Sequence, residues 1–206
     1  MDNQKDTYLT IAAPVETIYK EKSSKFLTYA WHVTDAEQVR ELLDGLRKRY
    51  YDATHHCYAY RIGYRGEQFR ANDDGEPSGT AGKPILGQLL SRDVTDCLVV
   101  VVRYFGGTKL GVSGLIDAYK TSTAMVLDEA EIVERTIDRE ITITFPYASI
   151  GEVMKIIKEE KPKVREQIFD NTCRIELSVR LSREASLLGK VKDVSGVSII
   201  INNPDE

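Results

Sequence analysis

Cysteine and histidine are scarce in this sequence, with three of each among 206 residues. The cysteines, Cys57, Cys97 and Cys173, are odd in number and lie far apart, so we expect them to stay reduced rather than to form disulfides. A tetrahedral zinc site needs four convergent ligands, and the pair His55 and Cys57 has no second Cys/His pair near it in the sequence. The sequence therefore predicts no metal site, and we expect no cofactor.

Long apolar runs and an excess of positive charge are also missing. The 28 Lys and Arg residues are outnumbered by 32 Asp and Glu residues, which gives a formal net charge of −4. A phosphate contact must therefore come from a local patch. No apolar run reaches the length that spans a membrane, and residues 1–6 are polar, unlike a signal peptide. We expect a cytoplasmic protein of one large or two small domains, with no membrane partner.

What the sequence does contain is a glycine-rich junction between a buried strand and a helix. The apolar run 98–102 predicts a strand that is buried on both faces, and helical spacing begins near Ser113. Glycines let a backbone approach a ligand closely, and a helix start offers free N–H groups to an anion. Tight packing between strand and helix would also explain the glycines. The candidate binding residues here are Arg103, Tyr104, Phe105, Gly106, Gly107, Lys109 and Gly111.

A second candidate segment is the predicted long loop 70–84, which is rich in turn-forming residues. Pro84 can open a helix, so the residues before it lie at a helix N-terminus that could hold an anion. The segment is not a Walker A loop, because the first glycine is missing and Pro84 stands where Ser or Thr is needed. Its carboxylates could serve as acid and base, or simply be solvated. The candidate residues are Asp73, Asp74, Glu76, Ser78, Thr80 and Lys83.

Between these features and the N-terminus, the sequence predicts a capped helix and a strand. Asp35 caps the helix, whose last turn holds the cations 47–49, and we interpret these as a solvated helix end. The strand 54–64 places His55 and His56 on opposite faces. We expect His56 in the core and His55 exposed toward a ligand.

The last third of the chain has a different pattern. Alternating and helical stretches from Arg139 onward predict the order β-α-β-β-α-β, with a domain boundary near Ile137. The predicted domains are therefore residues 1–137 and 138–206. No histidine follows His56, so the second domain offers no catalytic constellation.

Together these motifs resemble the signature of the IMPACT/YigZ family, in its two-domain bacterial branch. The resemblance covers about residues 15–130, and the second domain matches that branch. The residues that carry it are Gly82-Lys83-Pro84-Ile85-Leu86, Arg103-Tyr104-Phe105-Gly106-Gly107, Leu110-Gly111, the motif 73–82 and the strand around His55.

The resemblance implies an α+β fold in which a domain like ribosomal protein S5 domain 2 precedes a ferredoxin-like domain. Such a pair is similar to domains IV and V of elongation factor G, which contact the ribosome and its RNA. Eukaryotic relatives regulate translation during amino-acid starvation by binding the activator of a translation-inhibiting kinase.

Two functions remain open from the sequence. The first, which the sequence favours, is a translation-associated binding protein whose partner is RNA, the ribosome or a protein of translation control. The second is an enzyme that acts on a phosphorylated small molecule or nucleotide, with His55 as general base beside the loop 73–83. No nucleophile–base pair is legible at sequence spacing, so we predict no catalytic residues.

Overall fold

The computed structural model describes residues 6–202, which divide into two compact units. Tyr8–Arg135 form the first unit, and Thr136 onward form the second together with the segment that ends at Thr7. The boundary predicted at Ile137 did not include this N-terminal segment in the second domain. Arg180 donates hydrogen bonds of 2.6 and 2.9 Å to the Asp6 carboxylate, which ties the segment to the second unit. Residues 1–5, part of the predicted polar start, and residues 203–206 lie outside the described residues.

The first unit contains a five-stranded antiparallel sheet and three helices. Its strands are β2 (Val15–Glu21), β3 (Ser24–His32), β4 (His55–Ile62), β5 (Gln68–Asn72) and β6 (Cys97–Tyr104). Its helices are α1 (Ala36–Arg49), α2 (Gly82–Ser91) and α3 (Gly111–Glu129). The spatial order of the sheet is β2-β3-β6-β4-β5, and β1 (Thr7–Ile11) pairs separately with β7 (Ile132–Thr136).

The central strand β6 organises both cores of this unit. Successive side chains of a strand point to opposite faces. Val99 and Val101 accordingly belong to the core that α2 and α3 cover, whereas Val100 and Val102 belong to the core under α1. All four are fully buried, which confirms the prediction of a strand buried on both faces.

The helix starts of the first unit match the sequence in one case and differ in another. Asp35 caps α1 by accepting hydrogen bonds of 2.9 Å from the N–H groups of Glu37 and Gln38, as predicted. Helix α2 begins at Gly82, two residues earlier than Pro84 predicts. A Cβ on Gly82 would lie 2.5 Å from the backbone nitrogen of Asn72, so glycine permits this close contact with β5. The predicted loop 70–84 is thus shortened to residues 73–81, by β5 at one end and by α2 at the other.

The second unit is a four-stranded antiparallel sheet with two helices. In chain order its elements are β8 (Asp138–Pro146), a 3₁₀ turn (Tyr147–Ser149), α4 (Ile150–Glu160), β9 (Lys163–Ile168), β10 (Thr172–Arg180), α5 (Leu181–Lys192) and β11 (Ser198–Asn202). The spatial strand order is β11-β8-β10-β9. The β-α-β-β-α-β sequence of elements agrees with the prediction, and one apolar core joins the sheet to both helices.

All three cysteines are free and fully buried. Cys57 and Cys97 lie in the core of the first unit, and Cys173 lies in that of the second. Burial raises the pKa of Cys97 to about 12, so this thiol stays protonated at neutral pH. Within residues 6–202, no helix is both long enough and apolar enough to cross a membrane.

Candidate functional site

The predicted site residues gather at one end of the sheet in the first unit. Strand β6 is antiparallel to both its neighbours, so its last residues lie beside the first residues of β3 and β4. Arg103 pairs in register with Phe26 on one side and with His55 on the other. The turn 105–110 and the loop 73–81 therefore meet at this end, and α3 and α2 begin directly after them.

The centre of this end is a buried ion pair between Arg103 and Glu76. The two residues are only 5% and 8% exposed, and Arg103 Nη1 donates to Glu76 Oε1 at 2.5 Å. Arg103 Nη2 also donates to the Ser24 hydroxyl at 3.3 Å. The sequence predicts Arg103 as a phosphate contact, but its charge is committed to Glu76. The reason is strand alternation, which places Arg103 on the same face as Val99 and Val101, toward the core.

Tyr119 completes the buried cluster and was not predicted. Its hydroxyl donates to Glu76 Oε1 at 2.8 Å, and Cys57 Sγ lies 3.3 Å from the same hydroxyl. Burial, followed by the neighbouring Cys57 and Glu76, raises the pKa of Tyr119, so it remains a donor. A signal was present in the sequence, because Tyr119 follows Leu115 at helical spacing and a buried tyrosine needs a polar partner.

His56 is buried, as predicted, whereas His55, which was predicted to be exposed, is only partly so. His55 is partly exposed, and its Nδ1 lies 2.7 Å from the carbonyl oxygen of Asp74. Because a carbonyl only accepts, Nδ1 carries the hydrogen, and in the neutral ring Nε2 is left as an acceptor. That Nε2 lies 3.8 Å from Glu76 Oε1, too far for a hydrogen bond. His56 is buried, and burial lowers its pKa.

The predicted anion site at the start of α2 is occupied by Asp73 itself. Oδ1 of Asp73 accepts from the N–H groups of Ala81 and Gly82 at 3.0 and 2.8 Å, and Oδ2 accepts from that of Gly79 at 2.8 Å. Burial alone would raise the pKa of Asp73, but these three donors outweigh it and hold the pKa below 3.8. Asp73 is therefore a structural cap.

The other candidate residues of this loop differ in their exposure and in their hydrogen bonds. Ser78 and Lys83 are exposed, whereas Thr80 is buried and its hydroxyl donates to the Pro77 carbonyl at 2.7 Å. Asp74 accepts a hydrogen bond of 2.6 Å from the backbone N–H of His56. Of the candidates in this loop, Ser78 and Lys83 are thus the exposed ones.

The turn 105–110 is held against the β2–β3 hairpin. A Cβ on Gly106 would lie 2.0 Å from the carbonyl carbon of Ser23, so this glycine serves close packing rather than ligand approach. Gly107 and Gly111, by contrast, have φ of +86° and +76° with open space around them. Lys109 is exposed in the same turn.

The two aromatic candidates differ in exposure. Phe105 is 46% exposed and is available for stacking. Tyr104 is half-buried, and its hydroxyl donates to Asp52 at 2.8 Å. Burial and this hydrogen bond raise the pKa of Tyr104 to about 12.

A pocket of about 370 Å³ lies between the turn 105–110, the start of α3 and the buried ion pair. Its walls are largely apolar, with Lys109 and the Arg103–Glu76 pair as the charged groups. Within residues 6–202, no cluster of His, Cys, Asp and Glu is arranged to hold a metal ion. The lining residues are Glu76, Pro77, Arg103, Phe105, Lys109, Leu110, Gly111, Val112 and Leu115.

Exposed cations surround this end of the sheet, and they include residues 47–49, which the sequence predicts as a solvated helix end. Arg47, in the last turn of α1, lies 3.8 Å from the Asp74 carboxylate, so the cations 47–49 adjoin the loop 73–81. Tyr51, which follows directly, is 85% exposed. We call the exposed residues of this region the basic rim; its members are Lys22, Arg47, Lys48, Arg49, Lys83 and Lys109.

Comparison with known proteins identifies the chain's relatives. The Impact N-terminal domain model matches residues 22–127, which include every candidate site residue. The chain is 35% identical to the IMPACT family member YvyE of Bacillus subtilis, over 84% of this chain and 80% of that protein. It is 30% identical to the IMPACT family member YigZ of Escherichia coli, over 94% and 96%.

A solved structure has a similar fold over nearly the whole length of the chain. The crystal structure of a hypothetical protein superposes with a TM-score of 0.73 at 28% identity, covering 97% of this chain and 98% of that one. The resemblance predicted from the glycine-rich junction and the loop 70–84 is thus confirmed. The chain belongs to the IMPACT family.

Proposed function

We propose that this protein is a translation-associated binding protein that docks on RNA, as on the ribosome, through the basic rim of its first unit. The observation that carries the proposal is the placement of Phe105 and Tyr51, both exposed, among the cations of the basic rim. Cations bind the phosphate backbone, and exposed aromatic rings stack on unpaired bases. The translation-associated role is what the family resemblance implies.

In this proposal the buried residues support the surface rather than contact RNA. Arg103 and Glu76 hold β6 and the loop 73–81 together, and Gly106 fixes the turn that presents Phe105. The RNA contacts are then Phe105, Lys109 and Lys83, with the end of α1 added. We also propose that the first unit is S5 domain 2-like and the second ferredoxin-like; the spatial order β11-β8-β10-β9 supports the second assignment.

The enzyme alternative has less support, because the loop carboxylates are already engaged. Asp73 caps α2, Asp74 accepts from the backbone of His56, and Glu76 is bound to Arg103 and Tyr119. A general acid or base needs a titratable group that is free to meet its substrate. Each of these three carboxylates is thus bound within the protein, whereas the Nε2 atom of His55 has no hydrogen bond in the described part of the chain and could meet a substrate.

The test is co-sedimentation with ribosomes, together with binding of a fluorescent single-stranded RNA across a range of salt concentrations. Lys48→Gln/Lys109→Gln removes two rim cations, and Lys158→Gln/Lys192→Gln removes two exposed cations of the second unit. We expect the rim variant to reduce the slope of log K against log salt by about 1.4, since each single-strand phosphate contact contributes about 0.7. Phe105→Leu should weaken binding roughly fivefold or more without changing the slope.

The matched pair of variants makes the result decisive. Equal losses in the rim variant and the control would show that only net charge matters. An absence of RNA binding by the wild type at low salt would refute the proposal.

A further inference from the structure

Strand β11, at the edge of the second sheet, has one side on which no strand pairs with it. It pairs with β8 on its inner side, and within residues 6–202 no strand pairs with its outer side. Every second residue of such a strand directs its N–H and C=O groups outward, where another strand can bind them. The side chains of Ile200 and Ile201 are 59% and 42% exposed. The outer side of β11 is therefore an open and apolar edge.

The sequence of β11 lacks the features that usually protect such an edge. Proteins protect edge strands with charged side chains, proline or bulges. Strand β11 reads Ser-Ile-Ile-Ile-Asn, with no charge, no proline and no register shift against β8. The strands at the other edges of the two larger sheets, β2, β5 and β9, all carry charge. Their charged residues are Glu16, Lys20 and Glu21 in β2, Arg70 in β5, and Lys163, Arg165 and Glu166 in β9.

The residue pattern of β11 is complementary to itself. An antiparallel pair of two such strands, centred on Ile200, places Ile199 opposite Ile201 of the second copy and Ser198 opposite Asn202 of the second copy. Apolar residues then meet apolar residues, polar residues meet polar ones, and no like charges face each other across the pair. Two identical strands paired about a two-fold axis form a closed and symmetric interface.

From these features we infer that β11 is a self-association site, at which two copies of this chain pair edge to edge. The two four-stranded sheets then form one continuous sheet of eight strands. The inference concerns the second unit and does not rest on RNA docking by the first unit.

The pairing also extends the apolar core of the second unit. Ile199 packs against that core, and strand alternation places Ile201 on the same face of the sheet. A two-fold axis perpendicular to the sheet keeps the helices of both copies on one side. Ile199 and Ile201 of the two copies therefore form one cluster, in which the exposed part of Ile201 is removed from water.

The first test is sedimentation velocity of the full chain over a wide range of protein concentration. We expect a shift from monomer to dimer as the concentration rises, and dissociation on dilution because one strand pair is a small interface. Ile200→Lys places two like charges at the axis and should weaken the dimer at least about tenfold. The matched control is Ile18→Lys, since Ile18 is 54% exposed on the edge strand β2, and it should leave the dimer unchanged.

A mixture of Ile200→Lys and Ile200→Glu separates the proposed pairing from a disturbed fold. Opposite charges face each other at the axis of the mixed dimer, so it should form roughly tenfold more tightly than the dimer of either variant alone. Damage to the fold of the second unit would not be repaired by mixing.

New cysteines test the register of the pair. The Cβ atoms of two Ile200→Cys copies lie directly opposite each other, about 4.5–5.5 Å apart, so mild oxidation should link the copies by a disulfide. Those of two Ser198→Cys copies are four residues out of register, about 13 Å apart, and should not link. The native cysteines are all buried and do not compete.

Three outcomes would overturn the inference. The first is a wild type that remains monomeric at the highest concentration, which would leave the edge to a strand of another protein. The second is equal weakening of the dimer by Ile18→Lys and Ile200→Lys. The third is cross-linking of Ser198→Cys as readily as of Ile200→Cys.

Discussion

The starts of α2 and α3 lie at the same end of one sheet, yet among residues 6–202 a carboxylate of the chain binds to the first N–H groups of α2 and none binds to those of α3. Helix α2 takes its anion from the chain, since the Asp73 carboxylate accepts from Gly79, Ala81 and Gly82. Helix α3 has no such internal partner in the described part of the chain. Both starts follow glycine-containing turns, so glycine alone does not distinguish a structural cap from a binding site.

The difference between the two helix starts follows from the positions of Asp and Glu in the sequence before each helix. Asp73 precedes Gly82 by nine residues, a distance that a loop can fold back over. No Asp or Glu occurs in residues 97–116, so neither β6 nor the turn before α3 supplies a carboxylate to the start of that helix. A helix start predicts where an anion is stabilised, and the local supply of carboxylates decides whether it comes from the chain or from solution.

The ion pair between these helix starts should give the largest effect on stability. Glu76→Ala leaves the Arg103 guanidinium buried without its carboxylate, which costs about 3–5 kcal/mol. Urea unfolding followed by fluorescence of Trp31, the one tryptophan, reports on the first unit. The double variant Glu76→Leu/Arg103→Met should recover much of the loss. A loss below about 1 kcal/mol in Glu76→Ala would mean that the pair is not desolvated.

Opening the start of α2 should give an intermediate effect. Asp73→Ala removes the acceptor of three N–H groups and should cost about 1–2 kcal/mol, as the loss of a helix cap does. The vacated position then resembles the start of α3, so sulfate should restore stability in this variant more than in the wild type. The same urea titration with and without sulfate, at matched ionic strength, measures this. Equal responses to sulfate would break the comparison between the two helices.

The contribution of Asp73 should also depend on pH. Its pKa is lowered by folding, so its stabilisation is fully present above the unfolded value near 3.8 and is lost as pH falls through the folded value. The free-energy difference between wild type and Asp73→Ala should therefore be constant from pH 7 to about 5 and shrink below about pH 4. Unfolding curves at pH 7, 5, 4 and 3 test this. A difference that grows toward low pH would contradict it.

The smallest effect is expected at the start of α3, with the opposite sign. Val112→Asp supplies the missing carboxylate in the first turn and should stabilise the first unit by about 0.3–1 kcal/mol relative to Val112→Asn. The gain should fall in 1 M salt, because the carboxylate is exposed and its interaction is screened. A destabilisation of Val112→Asp relative to Val112→Asn would show that the helix start is not open to an anion.

Local sequence patterns predicted the strands and helices of the fold better than the contacts at the candidate site. The burial of β6 and the capping of α1 by Asp35 follow from alternation and from side chains a few residues away. Arg103 was open to the same reasoning, because it shares the parity of Val99 and Val101 on a buried strand. Its partner was not, since Glu76 lies 27 residues away across a loop whose path depends on the finished fold.

The same limit applies to Gly106 and to the cations 47–49. Glycine is required at position 106 because the backbone of Ser23 lies against it. Ser23 is far from Gly106 in the sequence, so the residues around either position do not indicate this contact. The cations 47–49 looked like an ordinary helix end, and only the salt bridge of Arg47 to Asp74 shows which loop they adjoin. Contacts between distant segments therefore carried the information that sequence periodicity lacked.

Alkylation of the three buried thiols would report when each unit of this chain unfolds. An alkylating reagent needs an exposed thiolate, and Cys57 and Cys97 offer none while the first unit is folded. Cys173 is equally inaccessible in the second unit. Because opening must precede modification, mass spectrometry of the alkylated chain would time the unfolding of each unit separately, with no engineered label.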